Sequence, residues 1–249
     1  MVRALVLAAG LGTRLSPLTD SVPKCLVPVA GRPLLDYWQV AFVRDEIAEA
    51  RINVHTHPEQ VEAWVAERNG LGPVVWSSVH EPELLGSGGT LRANLAWLER
   101  SDAFLVIYAD NLSTVDFKQL LGFHREQNAE LTMALFEAPN PSACGIATLD
   151  DQGRVVHFAE KPDSPASSLA NAGIYVVSRG VLGTVLDAVA AERELDGGSG
   201  VIDMGYDILP RMEGRMHGMA LPGYHRDVGT PESLAEIEAA VESGVLECK

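Results

Sequence analysis

Two glycines and two cations share one short stretch near the start of the chain and could bind phosphate. The stretch LAAGLGTRLSPLTDSVPK covers residues 7–24 and contains Gly10, Gly12, Arg14 and Lys24. Glycine lets backbone N–H groups approach an anion closely, while Arg adds a forked donor and Lys a point charge. A turn between a strand and a helix does not require both cations. They could also be ordinary solvated side chains beside a turn.

Two common phosphate-binding loops do not fit this stretch. A dinucleotide-binding loop has the pattern G-x-G-x-x-G, and Leu15 stands where the third glycine is required. A dinucleotide-dependent oxidoreductase is therefore a weak alternative. A Walker A loop, G-x-x-x-x-G-K-[ST], does not occur in the sequence.

Two aspartates are candidates for a metal site. Asp110 directly follows the apolar run AFLVIYA (103–109), and Asp227 lies in the string RDVG. A carboxylate at the carboxyl end of a buried strand in an α/β sheet faces the crevice where ligands bind. Taken singly, Asp110 could instead cap the following helix, and Asp227 could be a turn residue.

The elements that position these residues alternate along the chain. Strand-like runs cover 4–9, 51–57, 73–78, 103–109 and 130–137, and helix-like segments cover 33–45, 59–68, 88–99 and 116–127. This alternation predicts an α/β fold that is Rossmann-like, with a mostly parallel central sheet and helices on both faces.

The second part of the chain predicts a smaller β-rich portion. Two strands joined by a turn at 150–154, a strand over 171–178, a helix over 180–194, a loop over 195–200 and a strand over 215–229 precede a last helix. Thr230 is expected to cap that helix, with Pro231 in its first turn. We expect a single domain over 1–249, with one half at about 1–137 and the other at about 138–249.

The overall composition narrows the class of protein. The 249 residues carry a formal net charge of -15, which argues against nucleic acid as a partner. No apolar run approaches the ~20 residues of a membrane span, and the start of the chain does not resemble a signal peptide. The cysteines, Cys25, Cys144 and Cys248, form no even framework and no CxxC, so we expect a reduced, cytoplasmic protein.

Several motifs together resemble one family. GLGTRLSPLT followed by PKCLVPVAGRPLL resembles the signature of the sugar-1-phosphate nucleotidyltransferases, also called sugar-nucleotide pyrophosphorylases. EPELLGSGGTL (81–91) resembles their second nucleotide loop, and YADN (108–111) their Gly-Asp metal motif with Ala109 in place of Gly. CGIATLD, FAEKP (158–162), NAGIYVV and RDVGTPES (226–233) resemble the remaining motifs in family order. The resemblance covers roughly residues 3–240.

The resemblance implies a reaction and a set of roles. The sugar phosphate oxygen attacks the α-phosphorus of a nucleoside triphosphate in line, giving an NDP-sugar and pyrophosphate. The implied catalytic residues are Arg14, Lys24, Asp110, Lys161 and Asp227, of which Asp110 and Asp227 would hold Mg²⁺. The implied nucleotide contacts are Ala8, Ala9, Gly10, Gly12, Thr13, Arg14, Glu81, Gly86 and Ser87. The implied sugar-phosphate contacts are Asn111, Gly145, Glu160, Lys161 and Asn171.

Glu160 and Lys161 can bind one ligand together only if the backbone has a particular geometry. Successive strand residues point to opposite faces, so both side chains can serve one ligand only if the strand bends there, and Pro162 makes a bend credible. A surface ion pair is the alternative, and such pairs contribute little to stability.

Glu81 opens the second loop at a position where, by the resemblance, related enzymes contact the base. An ionised carboxylate only accepts hydrogen bonds, and guanine offers two adjacent donors, so we expect GTP and a likeness to mannose- or heptose-1-phosphate guanylyltransferases. Glu81 could also lie on the loop surface, and Glu83 is a competing candidate. Several alternatives stay open. The nucleotide could be UTP, dTTP, CTP or ATP, and a cyclitol phosphate could replace the sugar phosphate. The protein could also be a non-catalytic regulatory protein that binds sugar nucleotides. A homo-oligomeric state is also open.

Overall fold

The computed structural model describes residues 1–195 and 200–244. Cys248 and most of the predicted loop over 195–200 lie outside the described residues. The strands are β1 Arg3–Leu7, β2 Pro28–Val29, β3 Arg32–Pro33, β4 Glu49–Val54, β5 Val75–His80, β6 Ala103–Tyr108, β7 Asn111–Ser113, β8 Leu131–Glu137, β9 Gly145–Leu149, β10 Val155–Glu160, β11 Leu169–Ser178, β12 Met216–Ala220 and β13 His225–Asp227. The α-helices are α1 Leu34–Arg44, α2 Pro58–Asn69, α3 Gly86–Leu98, α4 Phe117–Glu126, α5 Gly183–Leu195 and α6 Pro231–Glu242.

The α/β class predicted from the alternation is confirmed, with a mixed sheet and small additional antiparallel sheets. Most boundaries move by one to three residues. The strand predicted over 51–57, for example, runs from Glu49 to Val54. It cannot include His57, because that residue has a φ of 49° and precedes α2 in a left-handed conformation.

The described chain divides into two compact units, each assembled from separate segments. The first comprises Met1–Glu83, Ile107–Phe117 and Pro222–Lys249, and the second comprises Leu84–Val106 and Lys118–Leu221. The division falls within β6. The single domain with halves meeting near residue 137 stays a prediction.

The first unit contains a parallel array in the order β1-β4-β5. Val6 lies beside Ile52, and Ile52 lies beside Ser78. Ala4, Leu5 and Val6 are fully buried, as expected for a parallel strand covered on both faces. The backbone N–H of Ala109 donates to the carbonyl of Leu7 at 3.0 Å. This bond brings the residue that follows β6 to the carboxyl end of β1.

A small antiparallel pair, β7 with β13, joins distant parts of the sequence within the first unit. Asp227 lies opposite Asn111, and His225 lies opposite Ser113. An apolar cluster holds the surrounding segments together, with its buried members contributed by Leu15, Val29, Leu34, Leu112, Val228 and Ile237. The predicted start of α6 is confirmed, since Thr230 and Ser233 form a reciprocal capping box and Pro231 opens the helix.

The second unit is mainly antiparallel. Its strands follow the order β10-β9-β11, and β8 pairs with β11 on one side and with β12 on the other. The turn predicted at 150–154 is confirmed by two backbone bonds, from Asp150 N–H to the Arg154 carbonyl and from Gly153 N–H to the Asp150 carbonyl. Gly153 has the expected positive φ, at 76°.

The single strand predicted over 215–229 is wrong. The segment forms two separate strands, β12 and β13, with different partners. Pro222 offers no N–H to a strand ladder, and Gly223 has a φ of 101°, so the chain cannot continue extended through this point. The residues of β13, His225–Asp227, pair with β7 instead.

No helix within residues 1–195 and 200–244 is long and apolar enough to cross a membrane.

Candidate nucleotidyl transfer site

The glycine-rich stretch leaves the end of β1 as an open loop. Gly12 has a φ of 65°, and a Cβ on it would lie 2.9 Å from Cγ2 of Thr19, so both conformation and space require glycine. A Cβ on Gly10 would meet nothing within 4 Å. The backbone beside Gly10 is therefore open, which is compatible with close approach of an anion. The predicted nucleotide contacts Ala8, Ala9 and Thr13 belong to the same stretch.

A buried side chain anchors the start of this loop. The Oδ1 atom of Asn53, in β4, accepts a hydrogen bond from the N–H of Ala8 at 2.7 Å. Asn53 is 2% exposed. Sequence reasoning missed this residue, although an Asn within the apolar run of a parallel strand is an unusual choice that needs a hydrogen-bond partner. The bond fixes where the loop leaves the sheet.

Lys24 and Asp110 lie in direct contact. Lys24 Nζ is 2.5 Å from Asp110 Oδ2, and Lys24 is 9% exposed while the Asp110 side chain is 40% exposed. The alternative reading of Asp110 as a helix cap is wrong, because the carboxylate of Asp45 caps α4 by accepting from the N–H of Phe117. Lys24 is likewise no freely solvated cation. The geometry joins a residue of the glycine-rich stretch to the end of β6.

Asp227 reaches the same neighbourhood from near the end of the sequence. The N–H of Val228 donates to the carbonyl of Asp110 at 2.7 Å, and Asp227 lies opposite Asn111 in the β7–β13 pair. Asp227 is the last residue of β13 and its side chain is exposed. The turn reading of Asp227 is thus wrong. The two predicted metal carboxylates belong to chain segments that are hydrogen-bonded to each other.

Arg14 lies beside the loop that follows Asp227. A Cβ on Gly229 would be 2.4 Å from Asp227 Oδ2 and 3.2 Å from a terminal nitrogen of Arg14. The glycine therefore leaves room for a guanidinium and a carboxylate at the same point. The arrangement brings together Arg14, Lys24, Asp110 and Asp227 within the first unit.

His225 also lies near this group. Burial lowers its pKa to about 4, and the charge of Asp110 raises the pKa slightly against that effect. The imidazole is therefore neutral at physiological pH. It adds no positive charge beside the carboxylates.

Of the two candidates for contacting the base, one is buried. Glu81 is 4% exposed, whereas Glu83 is exposed. The reading of Glu81 as a surface loop residue is therefore wrong. Its backbone carbonyl lies 2.8 Å from Nδ1 of His55, so the segment is tied to the end of β4.

Residues 84–91 of the predicted second nucleotide loop lie in the second unit and include the start of α3. Gly86 has a φ of 77°, and a Cβ there would be 2.4 Å from the carbonyl oxygen of Ile202. The N–H groups of Gly88 and Gly89 both donate to that same carbonyl. Ser87 Oγ donates to Asp203 Oδ2 at 3.0 Å and accepts from the N–H of Met204 at 2.8 Å. The loop is thus packed onto 202–204, and its role as a nucleotide contact stays a prediction.

The bend predicted at Glu160–Lys161 is present. β10 ends at Glu160, and Lys161 has a φ of 47°, so the two residues do not continue an extended strand. The N–H of Lys161 donates to the carbonyl of Cys144 at 3.0 Å. Lys161 is exposed. Burial raises the pKa of Glu160, the Lys161 charge lowers it, and the Asp203 charge raises it.

Gly145 lies against Glu160, whereas the side chain of Asn171 is held by bonds within β11. Gly145 pairs with Glu160 across β9 and β10, and a Cβ there would be 2.5 Å from Glu160 Oε2. The side chain of Asn171 donates to the hydroxyl of Tyr175 at 2.6 Å and accepts from the N–H of Gly173 at 2.9 Å. These bonds fix the amide at a bulge in β11.

The chain matches known proteins along almost its full length. The profile of the nucleotidyl transferase family matches residues 3–244, and the chain belongs to this family. It is 34% identical over 248 residues to the mannose-1-phosphate guanylyltransferase of Mycobacterium tuberculosis, covering 98% of this chain and 66% of that relative. It is 33% identical over 235 residues to the mannose-1-phosphate guanylyltransferase catalytic subunit beta of Drosophila pseudoobscura pseudoobscura, covering 92% of this chain and 60% of that relative. The chain thus spans about two thirds or less of the length of these relatives.

A solved structure shows the same fold. A protein from Bacillus anthracis, assigned as a glucose-1-phosphate thymidylyltransferase and crystallised with sucrose, superposes with a TM-score of 0.83 at 22% identity. The match covers 96% of this chain and 94% of that chain.

Proposed function

We propose that this protein transfers the nucleotidyl group of a nucleoside triphosphate, GTP in the first instance, to a sugar 1-phosphate. The products are an NDP-sugar and pyrophosphate. The observation that carries the proposal is the contact of Lys24 with Asp110, with Asp227 on the neighbouring segment, in a chain that belongs to the nucleotidyl transferase family. In such a transfer the protein contributes positioning and charge neutralisation more than covalent chemistry.

The first unit supplies the groups for the triphosphate. The open backbone at Gly10 and the guanidinium of Arg14 suit the pyrophosphate portion that departs. Lys24 offsets negative charge that grows in the transition state. Because the chain carries a net charge of -15, these few cations must act locally against an unfavourable background field.

The carboxylates fit a magnesium ion by their chemistry. Mg²⁺ favours oxygen ligands, and it is commonly held by one or two carboxylates with phosphate oxygens and waters completing the shell. Asp110 and Asp227 provide such oxygens on segments joined by the bond from Val228 to Asp110. No group of three or more His, Cys, Asp or Glu residues within 1–195 and 200–244 forms an alternative centre. When bound, the ion would polarise the α-phosphate and help to align the substrates.

The choice of GTP is supported by Glu81 and by the relatives. An ionised carboxylate only accepts hydrogen bonds, and guanine presents two adjacent donors to a single acceptor group. Glu81 is 4% exposed, and both relatives described above are named as guanylyltransferases. Mannose 1-phosphate is accordingly the first sugar phosphate to test.

The second unit supplies the groups for the sugar 1-phosphate. Lys161 would contact the phosphate, and Glu160 would accept hydrogen bonds from sugar hydroxyls. The bend after β10 supports joint action of the two residues on one ligand. Asn171 and Gly145 would line the same sugar site.

We also place the protein in the cytoplasm. Of the cysteines within the described residues, Cys25 is buried and burial raises the pKa of its thiol to about 12. A thiol that is held protonated in this way is unreactive, and it serves only as a packing group. A reduced compartment suits such a chain.

The experiment is a pyrophosphate-release assay with Mg²⁺. It crosses GTP, UTP, dTTP, CTP and ATP with a panel of sugar 1-phosphates and one cyclitol phosphate. Release with GTP and a sugar 1-phosphate is the expected result. Release with another nucleotide alone would keep the reaction and overturn the base. Binding of nucleotide without release for any pair would instead indicate a regulatory protein that binds sugar nucleotides without making them.

A further inference from the structure

The carboxylate of Glu160 is enclosed by two glycines that come from different segments of the second unit. A Cβ built on Gly145 would lie 2.5 Å from Glu160 Oε2, and a Cβ built on Gly205 would lie 2.5 Å from the same atom and 2.9 Å from Cδ. Real Cβ atoms do not approach an oxygen so closely. Gly145 is the strand partner of Glu160, whereas Gly205 is 45 residues away in a segment that no motif singled out.

Asp203 fixes the position of Gly205. The Oδ1 atom of Asp203 accepts from the N–H of Gly205 at 2.7 Å and from the N–H of Tyr206 at 3.0 Å. It thereby caps the helical turn Met204–Ile208. Because this cap holds the first turn, it also fixes Gly205, against which the Glu160 carboxylate packs.

Asp203 is held in turn by the glycine-rich segment at the start of α3. Its Oδ2 atom accepts from the hydroxyl of Ser87 at 3.0 Å, and that hydroxyl accepts from the N–H of Met204 at 2.8 Å. The carbonyl of Ile202 accepts from the N–H groups of Gly88 and Gly89. Residues 202–206 therefore join this segment to Glu160 by an unbroken set of contacts.

The charges are consistent with this proximity. Burial raises the pKa of Glu160, Lys161 lowers it, and the negative charge of Asp203 raises it again. The carboxylate of Asp203 accepts three hydrogen bonds, from the Ser87 hydroxyl and from the N–H groups of Gly205 and Tyr206.

We propose that Asp203 and Gly205 are positioning residues that hold the Glu160 carboxylate in place to accept hydrogen bonds from the sugar. The proposal rests on the proposed function, in which Glu160 contacts the sugar of the sugar 1-phosphate. Neither residue touches substrate. Gly205 acts through the position of Glu160, so it affects the affinity for the sugar phosphate and leaves the affinity for the nucleotide unchanged. Asp203 also accepts from the hydroxyl of Ser87, an implied nucleotide contact, so its replacement affects the affinity for both substrates.

The first test is Gly205→Ala, with Gly122→Ala as the matched control. Gly122 lies within α4, and a Cβ there would meet nothing within 4 Å. We expect Gly205→Ala to raise the KM for mannose 1-phosphate by about tenfold or more, which corresponds to about 1.4 kcal/mol. The KM for GTP should stay within about twofold, and the control should match the wild type. Equal changes in both KM values, or none, would overturn the proposal.

A second pair of variants covers a failure of Gly205→Ala to fold. Asp203→Asn keeps an oxygen that can cap the turn, whereas Asp203→Ala removes it. We expect Asp203→Ala to raise the KM for mannose 1-phosphate and Asp203→Asn to restore it most of the way. Equal behaviour of the two variants would contradict the positioning role. Thermal unfolding of both variants separates a local effect from a general loss of stability.

Titration calorimetry separates this proposal from the proposed function. If the wild type binds mannose 1-phosphate but releases no pyrophosphate, the proposed reaction fails. The proposal then stands or falls on whether Gly205→Ala weakens the binding of mannose 1-phosphate while GTP binding is unchanged. If the wild type binds no sugar phosphate of the panel, both are overturned.

Discussion

The ammonium of Lys24 lies 2.5 Å from Oδ2 of Asp110, a residue 86 positions further along the chain. The contact joins a cation of the first loop to a carboxylate at the end of β6. Lys24 is nearly buried, so its charge is balanced mainly by this one partner. In the proposed reaction, Lys24 would contact the negatively charged triphosphate. Asp110 would contact the metal ion bound with it.

We predict that Asp110→Asn and Asp227→Asn each lower kcat by about a hundredfold or more, since both remove a negative charge from the proposed metal site. Both variants should fold, because Asn is close to Asp in size and Asp227 is exposed. Steady-state kinetics with saturating GTP and Mg²⁺ measure the effect. Asp151→Asn, in the exposed turn of the second unit, is the control and should be unchanged. Near-normal rates in both site variants would remove the metal assignment.

Replacement of Lys161 should separate the two substrates. Lys161→Ala removes the cation expected to contact the phosphate of the sugar 1-phosphate, so we predict a rise in the KM for that substrate of about tenfold or more. The KM for GTP should change less. The opposite order of effects would assign Lys161 to the triphosphate.

The base preference should depend on Glu81. In Glu81→Gln the amide offers one acceptor and one donor group where the carboxylate offers only acceptors. We predict a fall of kcat/KM for GTP of about tenfold to a hundredfold, because a donor of guanine would lose its partner. The ratio of kcat/KM for GTP to that for UTP should fall with it. A general loss with an unchanged ratio would show that buried Glu81 supports the fold and does not read the base.

Stability should decrease in mild acid, in part through His124. Burial is the largest cause that lowers the pKa of this imidazole, to about 4, and it contacts Thr132 and Ser178 in its neutral form. In the unfolded chain the group takes up a proton near pH 6.5. The unfolded state therefore binds more protons between about pH 6.5 and pH 4, and the free energy of unfolding falls as the pH falls through this range.

The matched variant for this effect is His124→Gln, which does not titrate. Urea unfolding of both proteins at several pH values gives the free energy of unfolding at each. The variant should show a smaller decrease between pH 6.5 and pH 4, even if it is less stable throughout. Parallel curves would show that His124 does not contribute to the acid sensitivity.

Local sequence signals predicted much of the fold and the residues of the first unit's site. Asp110 could be placed because a carboxylate that ends an apolar strand lies at the edge of a parallel sheet where ligands bind. Thr230 could be placed because the pattern T-P-x-S provides both a cap and a first-turn proline. In each case the cause lies within a few residues of the effect.

The contacts that sequence reasoning missed are long-range ones. The pairing of β13 with β7 joins residues more than 100 positions apart, and nothing near Asp227 specifies Asn111 as its partner. Asp203 stands in a segment whose Gly205 and Pro210 argue against helix, although the segment forms two short helical turns. Its role depends on Ser87 and Glu160, which only the folded chain brings to it.

In the proposed reaction the sugar phosphate oxygen attacks the α-phosphorus of GTP. An isotopic label on that phosphorus tests this step directly. GTP labelled with ³²P at the α position is incubated with mannose 1-phosphate and Mg²⁺, and the products are separated by chromatography. We predict that the label passes into the sugar nucleotide while unlabelled pyrophosphate is released. Label that stays in GTP, or that appears only as GMP, would contradict it.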